Sequence, residues 1–142
     1  MKQEWKDWFI NNRLEEQTFV EYDDRRYHYT NFHISNVPFH KELQEYIFSL
    51  NEITKGTEYD VYHVHTWNEG DFFGEHIDNN FRRKWAYVCE LQESECGTSL
   101  IVEGIDKKEG IFDSNTKHSV PTIQKGTRIS LTIFGSRPNE LF

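Results

Sequence analysis

The hydrophobic pattern changes period along the first third of the chain. Trp5, Trp8 and Phe9 fall at helical spacing and predict a short amphipathic helix over residues 3–13, which Asn11-Asn12 ends. Residues 18–34 read as strands carrying Phe19, Tyr22, Tyr27, Tyr29, Phe32 and Ile34, with a turn at Asp23-Asp24. Leu43, Tyr46, Ile47 and Leu50 then stand at i, i+3, i+4 and i+7, so residues 41–52 form a second helix, with Pro38 ahead of it and Lys55-Gly56 as its stop.

Beyond Gly56 the period drops to two. In residues 59–67, Val61, His63, His65 and Trp67 share one face, and Tyr62, Val64 and Thr66 the other. Asn68-Glu69-Gly70-Asp71 turns the chain into a strand over 72–78, and a polar loop over 79–84 follows. Further strands read at 85–92, 98–103, 111–113, 118–123 and 127–134. Roughly seven or eight short strands at such spacing make a mainly β sandwich or barrel, and with helices ahead of them a jelly roll. In the last strand Ile129, Leu131 and Ile133 form one face; Arg128, Ser130, Thr132 and Phe134 form the other. That polar stripe faces either solvent or a polar cavity.

A length of 142 residues suits one domain, with 1–56 supporting a β core over 57–136. The formal net charge of −8 disfavours a nucleic-acid partner, although Arg82-Arg83-Lys84 is locally basic. No apolar run reaches the ~20 residues of a membrane span. Glu4, Lys6 and Asp7 interrupt the start, so it does not read as a secretory signal, and a cytoplasmic location is expected. Cys89 and Cys96 lack metal-type spacing and are expected to stay unbridged.

His76 and Asp78 lie two residues apart, so on a strand they point the same way. With His118 from a distant strand they would complete a two-histidine, one-carboxylate set, the arrangement of non-haem Fe(II) oxygenases. A 2-oxo acid could chelate iron there through its keto oxygen and neighbouring carboxylate. The far carboxylate of 2-oxoglutarate would then need a buried cation, best an arginine fork. Arg128, just after the turn at Lys125-Gly126, is placed to supply it, and Ser130 to add a hydroxyl.

The stretch from Trp67-Asn68-Glu69-Gly70-Asp71 through His76-Ile77-Asp78, then His118-Ser119-Val120-Pro121 and Gly126-Thr127-Arg128-Ile129-Ser130, resembles the Fe(II)/2-oxoglutarate-dependent oxygenases of the prolyl 4-hydroxylase-like branch. The resemblance spans roughly residues 59–135. It implies a double-stranded β-helix and a dioxygenase using Fe(II), 2-oxoglutarate and O2 to hydroxylate a second substrate, with release of succinate and CO2. By the same resemblance the substrate is a protein or peptide side chain, prolyl for preference, with a small molecule as the other option. Val120 and Phe134 would line the cavity near the co-substrate. Trp67 stands where that branch usually has tyrosine and can donate a hydrogen bond but not accept one.

Two other readings stay open. His63, His65 and Glu69 resemble the first metal motif of a cupin, though the matching second motif is absent. A non-catalytic jelly-roll binding module is the other. His28, His33 and His40 have no partners at ligand spacing and read as surface or structural residues, and Trp5, Trp8 and Trp85 as core. The loop over 79–84 follows the expected ligands directly and is a candidate lid.

Overall fold

In the computed structural model, which describes residues 1–78, 82–97 and 99–138, ten strands form one antiparallel sheet with two helices against it. The order along the chain is α1 (Gln3–Asn12), β1 (Thr18–Tyr22), β2 (Arg25–His33), α2 (His40–Leu50), β3 (Val61–Trp67), β4 (Phe72–His76), β5 (Arg83–Gln92), β6 (Leu100–Val102), β7 (Ile105–Lys107), β8 (Glu109–Asp113), β9 (His118–Val120) and β10 (Arg128–Ser136). The expected elements are present, with one strand more: Glu103-Gly104 turns the chain from β6 into β7, a three-residue edge strand too polar to stand out in the sequence. Helix α2 stops at Leu50, before Lys55-Gly56, because Asn51 goes extended and its side chain accepts the Ile53 N–H at 2.9 Å. Asn79, Asn80 and Phe81 of the candidate lid lie outside the described residues.

Hydrogen-bonded neighbours run β7-β6-β9-β4-β2-β3-β10-β5-β8, with β1 on β2. The two ends of this path, β7 and β8, are separated in the chain by Lys108 alone, so the sheet curls back on itself into a nearly closed jelly roll. Strand β2 turns the corner between the two walls: His28 to His33 pair with β3, while Arg25 and Arg26 pair with Phe73 and Phe72 of β4.

The larger wall is buried on both faces. Tyr62, Val64, Trp85, Tyr87, Ile129, Leu131 and Ile133 face outward into a core shared with Phe9 of α1 and Leu43 and Ile47 of α2. The opposite face of the same strands looks into the roll, where Trp67, Val88, Leu100, Val102, Val120 and Ile123 form a second cluster. The Arg128-Ser130-Thr132-Phe134 stripe therefore points inward, because the helices cover the other side. One close approach supports this packing: Gly135 pairs with Trp85, and a Cβ at Gly135 would lie 1.9 Å from the indole. The indole is fully buried and its Nε1–H donates to Thr57 Oγ1 at 2.9 Å. Both cysteines are free, Cys89 buried and Cys96 exposed. No described helix is long and apolar enough to cross a membrane.

Candidate active site

Strands β4 and β9 pair so that His76 lies opposite His118, with an irregularity in the register between Phe73 and His76. Beyond the end of β4, the backbone N–H of Asp78 donates to the Ser114 carbonyl at 3.1 Å. The sequence-expected His76, Asp78 and His118 thereby come together, one ligand atom from each lying within 4.8 Å of the others. His118 Nε2 is 3.1 Å from Asp78 Oδ2, and His76 Nε2 is 3.7 Å from Asp78 Oδ1.

The other ring nitrogens fix how these groups present themselves. His76 Nδ1–H donates to the Gly74 carbonyl at 2.7 Å, and His118 Nδ1–H to the Thr116 carbonyl at 2.9 Å. A carbonyl can only accept, so in the neutral rings each Nε2 carries a lone pair directed at the carboxylate. Phe73 stacks on His76 at 3.7 Å and Phe112 lies 5.0 Å from His118, which limits ring rotation. Three acceptors facing one another repel unless a cation or a proton sits among them, and such outer hydrogen bonds are typical of metal-bound histidines. Burial lowers the His76 pKa; at His118 burial is outweighed by the hydrogen bond and charge of Asp78, and its pKa is raised. A proton therefore competes for His118 Nε2, and divalent-cation affinity should fall as pH drops through the His118 titration. Dissociation constants for Fe(II) measured anaerobically at stepped pH check this; equal affinity throughout would contradict it.

These residues line a cavity of about 440 Å³ that also takes in Arg128, Ser130 and Trp67, the residues expected to bind the co-substrate, and Val120 and Phe134, expected to line it. Arg128 is 1% exposed. Its Nε donates to Glu90 Oε1 at 3.0 Å, while Nη1 and Nη2 have no partner among the described residues. Burial lowers the Arg128 pKa against the opposing charge of Glu90, but an arginine remains a cation. Trp67 does not offer its N–H to the cavity: Nε1 donates to Ser130 Oγ at 3.0 Å. That leaves the Ser130 hydroxyl proton to donate beside the arginine fork.

Glu90 escaped the sequence reading. Its signal was a single carboxylate in the otherwise apolar run Trp85-Ala86-Tyr87-Val88-Cys89-Glu90-Leu91, on the face of β5 that carries Val88. His63 and His65 also line the cavity, opposite Thr132 and Ser130 of β10. Burial, with the charge of Arg83 adding, holds the His63 pKa down to about 4; burial, with His63 and Arg128 adding, holds His65 at about 3. Both are neutral walls at ordinary pH. His63 Nδ1 meets Asn31 Oδ1 at 2.8 Å, and Glu69 lies in the β3–β4 turn accepting the Gly126 N–H at 3.2 Å. The cupin-like set is thus not assembled. Among the described residues, only His76, Asp78 and His118 converge as a metal-type group. His40 bonds the Tyr62 hydroxyl at 2.7 Å, His33 caps a short turn through Ser35, and His28 packs at a tilt against Phe19.

No family model matches the chain, and no curated protein matches it in sequence. Its structure is similar to that of a prolyl-4-hydroxylase from Pseudomonas putida, with a TM-score of 0.76 and 17% identity over 98% of this chain and 89% of that one. The fold is that of the prolyl 4-hydroxylases. A viral collagen prolyl hydroxylase from Paramecium bursaria Chlorella virus-1, solved as its 2OG complex, matches with a TM-score of 0.71 and 15% identity, over 95% of this chain and 91% of that one. A prolyl hydroxylase from Trichoplax adhaerens, in complex with a hypoxia inducible factor oxygen degradation domain peptide fragment, matches at 0.68 and 16%, over 95% and 76%. On this prolyl 4-hydroxylase fold the His76-Asp78-His118 group and Arg128 share one cavity.

Proposed function

We propose that the protein is an Fe(II)- and 2-oxoglutarate-dependent oxygenase that hydroxylates a protein or peptide side chain, prolyl for preference. The observation that carries this reading is the buried Arg128 fork, its two Nη groups without a partner among the described residues, in the same cavity as three converging metal-type ligands. Buried N–H donors left without acceptors are unfavourable unless a ligand completes them. A dicarboxylate with a chelating 2-oxo end satisfies both places.

His76, Asp78 and His118 would hold the iron, and Arg128 with the Ser130 hydroxyl the far carboxylate. With O2 as oxidant the bound pair would supply oxidative decarboxylation, one oxygen atom ending in succinate, with release of CO2, and the other in the hydroxyl of the substrate. The chain's own contribution is placement. Phe73 and Phe112 fix the imidazoles, and the inner cluster around Val88, Leu100 and Val120 keeps water from the co-substrate. Exposed Tyr22 and Asn31 and half-buried Tyr29 and Arg83 line the remaining cavity, offering a substrate ring faces and hydrogen-bonding groups. The similarity to peptide-bound and collagen prolyl hydroxylases supports a peptide over a free metabolite.

The test is an anaerobic titration with Fe(II) and then 2-oxoglutarate, followed by the visible charge-transfer band of the chelate. Wild type should develop the band, and Arg128→Ala should weaken 2-oxoglutarate binding at least about a hundredfold, the scale of losing one partner of a buried ion pair. Arg128→Lys, which keeps the charge without the fork, should fall between. Equal affinity in all three would refute the assignment.

A further inference from the structure

We propose that Glu90 takes up a proton when the far carboxylate of 2-oxoglutarate binds Arg128, an inference that rests on the oxygenase reading above. Glu90 and Arg128 form a pair sealed between β5 and β10, with side chains 5% and 1% exposed, joined by one bond from Nε to Oε1. Oε1 also accepts from Ser99 Oγ at 2.8 Å, whereas Oε2, like both Nη groups, has no partner among the described residues. As it stands the pair is neutral. A bound carboxylate would place two anions on one buried cation.

The surroundings do not offset that second negative charge. Lys108, whose carbonyl accepts the Glu90 N–H at 2.7 Å, directs its ammonium to Glu93 at the exposed surface. Asp106 of β7 adds a further negative field at Arg128. Cys89, next to Glu90 on β5, is kept a neutral thiol by burial, which pushes its pKa up to about 11. His65 on β3 faces Arg128 as a neutral imidazole. Two carboxylates that cannot both stay ionised share a proton, and Glu90 Oε2 is the oxygen with no partner to lose. The step is a protonation from solvent: Glu90 passes from carboxylate to carboxylic acid, and no other bond changes. Glu90 is a positioning residue whose ionisation sets the affinity of the co-substrate end.

Linkage then fixes the sign. Where Glu90 is ionised in the free site and protonated in the complex, 2-oxoglutarate affinity falls about tenfold for each unit rise in pH. The experiment uses the anaerobic Fe(II)-loaded protein, titrated with 2-oxoglutarate by the charge-transfer band across pH and by calorimetry in buffers of different ionisation enthalpy. Wild type should take up about one more proton than Glu90→Gln, which keeps the acceptor for Arg128 Nε without the charge and should bind more tightly at high pH. In wild type, 2-oxobutyrate, which lacks the far carboxylate, should take up about one proton fewer than 2-oxoglutarate. That comparison decides the matter even where the variant does not fold. Equal proton uptake for the two acids would overturn the role of Glu90 while leaving the oxygenase reading in place. No 2-oxoglutarate binding to wild type at any pH would overturn both.

Discussion

Asp78→Ala should leave a folded protein that no longer binds iron measurably and forms no succinate. The carboxylate is the one anionic member of the site and stands between the two imidazoles, 3.1 and 3.7 Å from their Nε2 atoms. Outer hydrogen-bond partners of metal ligands are worth about 10–100-fold in affinity or activity, and removing a ligand outright should exceed that. The backbone bond from Asp78 N–H to Ser114 survives the substitution, and the carboxylate lies outside both hydrophobic clusters. Circular dichroism should therefore match wild type while anaerobic Fe(II) binding is lost. Unchanged iron binding and turnover would place the metal elsewhere in the cavity.

Gly135→Ala should cost about 3 kcal/mol, near the top of what overpacking usually inflicts, and lower the Tm by roughly 10 °C. The added methyl would fall 1.9 Å from Trp85 Cε2 and 2.2 Å from its Nε1. The indole cannot step aside cheaply, since it is fully buried and its N–H is bound to Thr57. Thermal unfolding of wild type and variant side by side checks this. A Tm within a degree of wild type would mean that the sheet can shift there at little cost.

The metal-type group and Arg128 were legible in the sequence as a pattern of spacings, although the strand expected over 72–78 ends at His76 and Asp78 is held by its backbone bond to Ser114 rather than by strand alternation. The orientation of the last strand was not. Taken alone, Arg128, Ser130 and Thr132 read better as a solvated stripe, and in the structure it is the covering of the Ile129-Leu131-Ile133 face by α1 and α2 that turns them inward. Glu90 was lost inside an apolar run, since a strand buried on both faces shows no hydrophobic alternation to mark which positions face a site. β7 was missed for the opposite reason: Ile105, Asp106 and Lys107 are all exposed, and their pairing with β6 is a matter of backbone bonds alone. His63 and His65 could be placed on one face, but not told apart from ligands until Glu69 was found holding the Gly126 N–H.

The single residue between β7 and β8 bears on how the chain folds. Two strands adjacent in sequence must finish at opposite ends of the sheet, so no local hairpin can join them; Ile105–Lys107 folds back on β6 through the turn at Glu103-Gly104, whereas Glu109–Asp113 has to wait for β5. Loop closure comes before its reward in such a topology, which puts the chain among slow folders of high contact order. Lys108 is the link across that seam, so the last edges to meet are the two that the chain holds one residue apart.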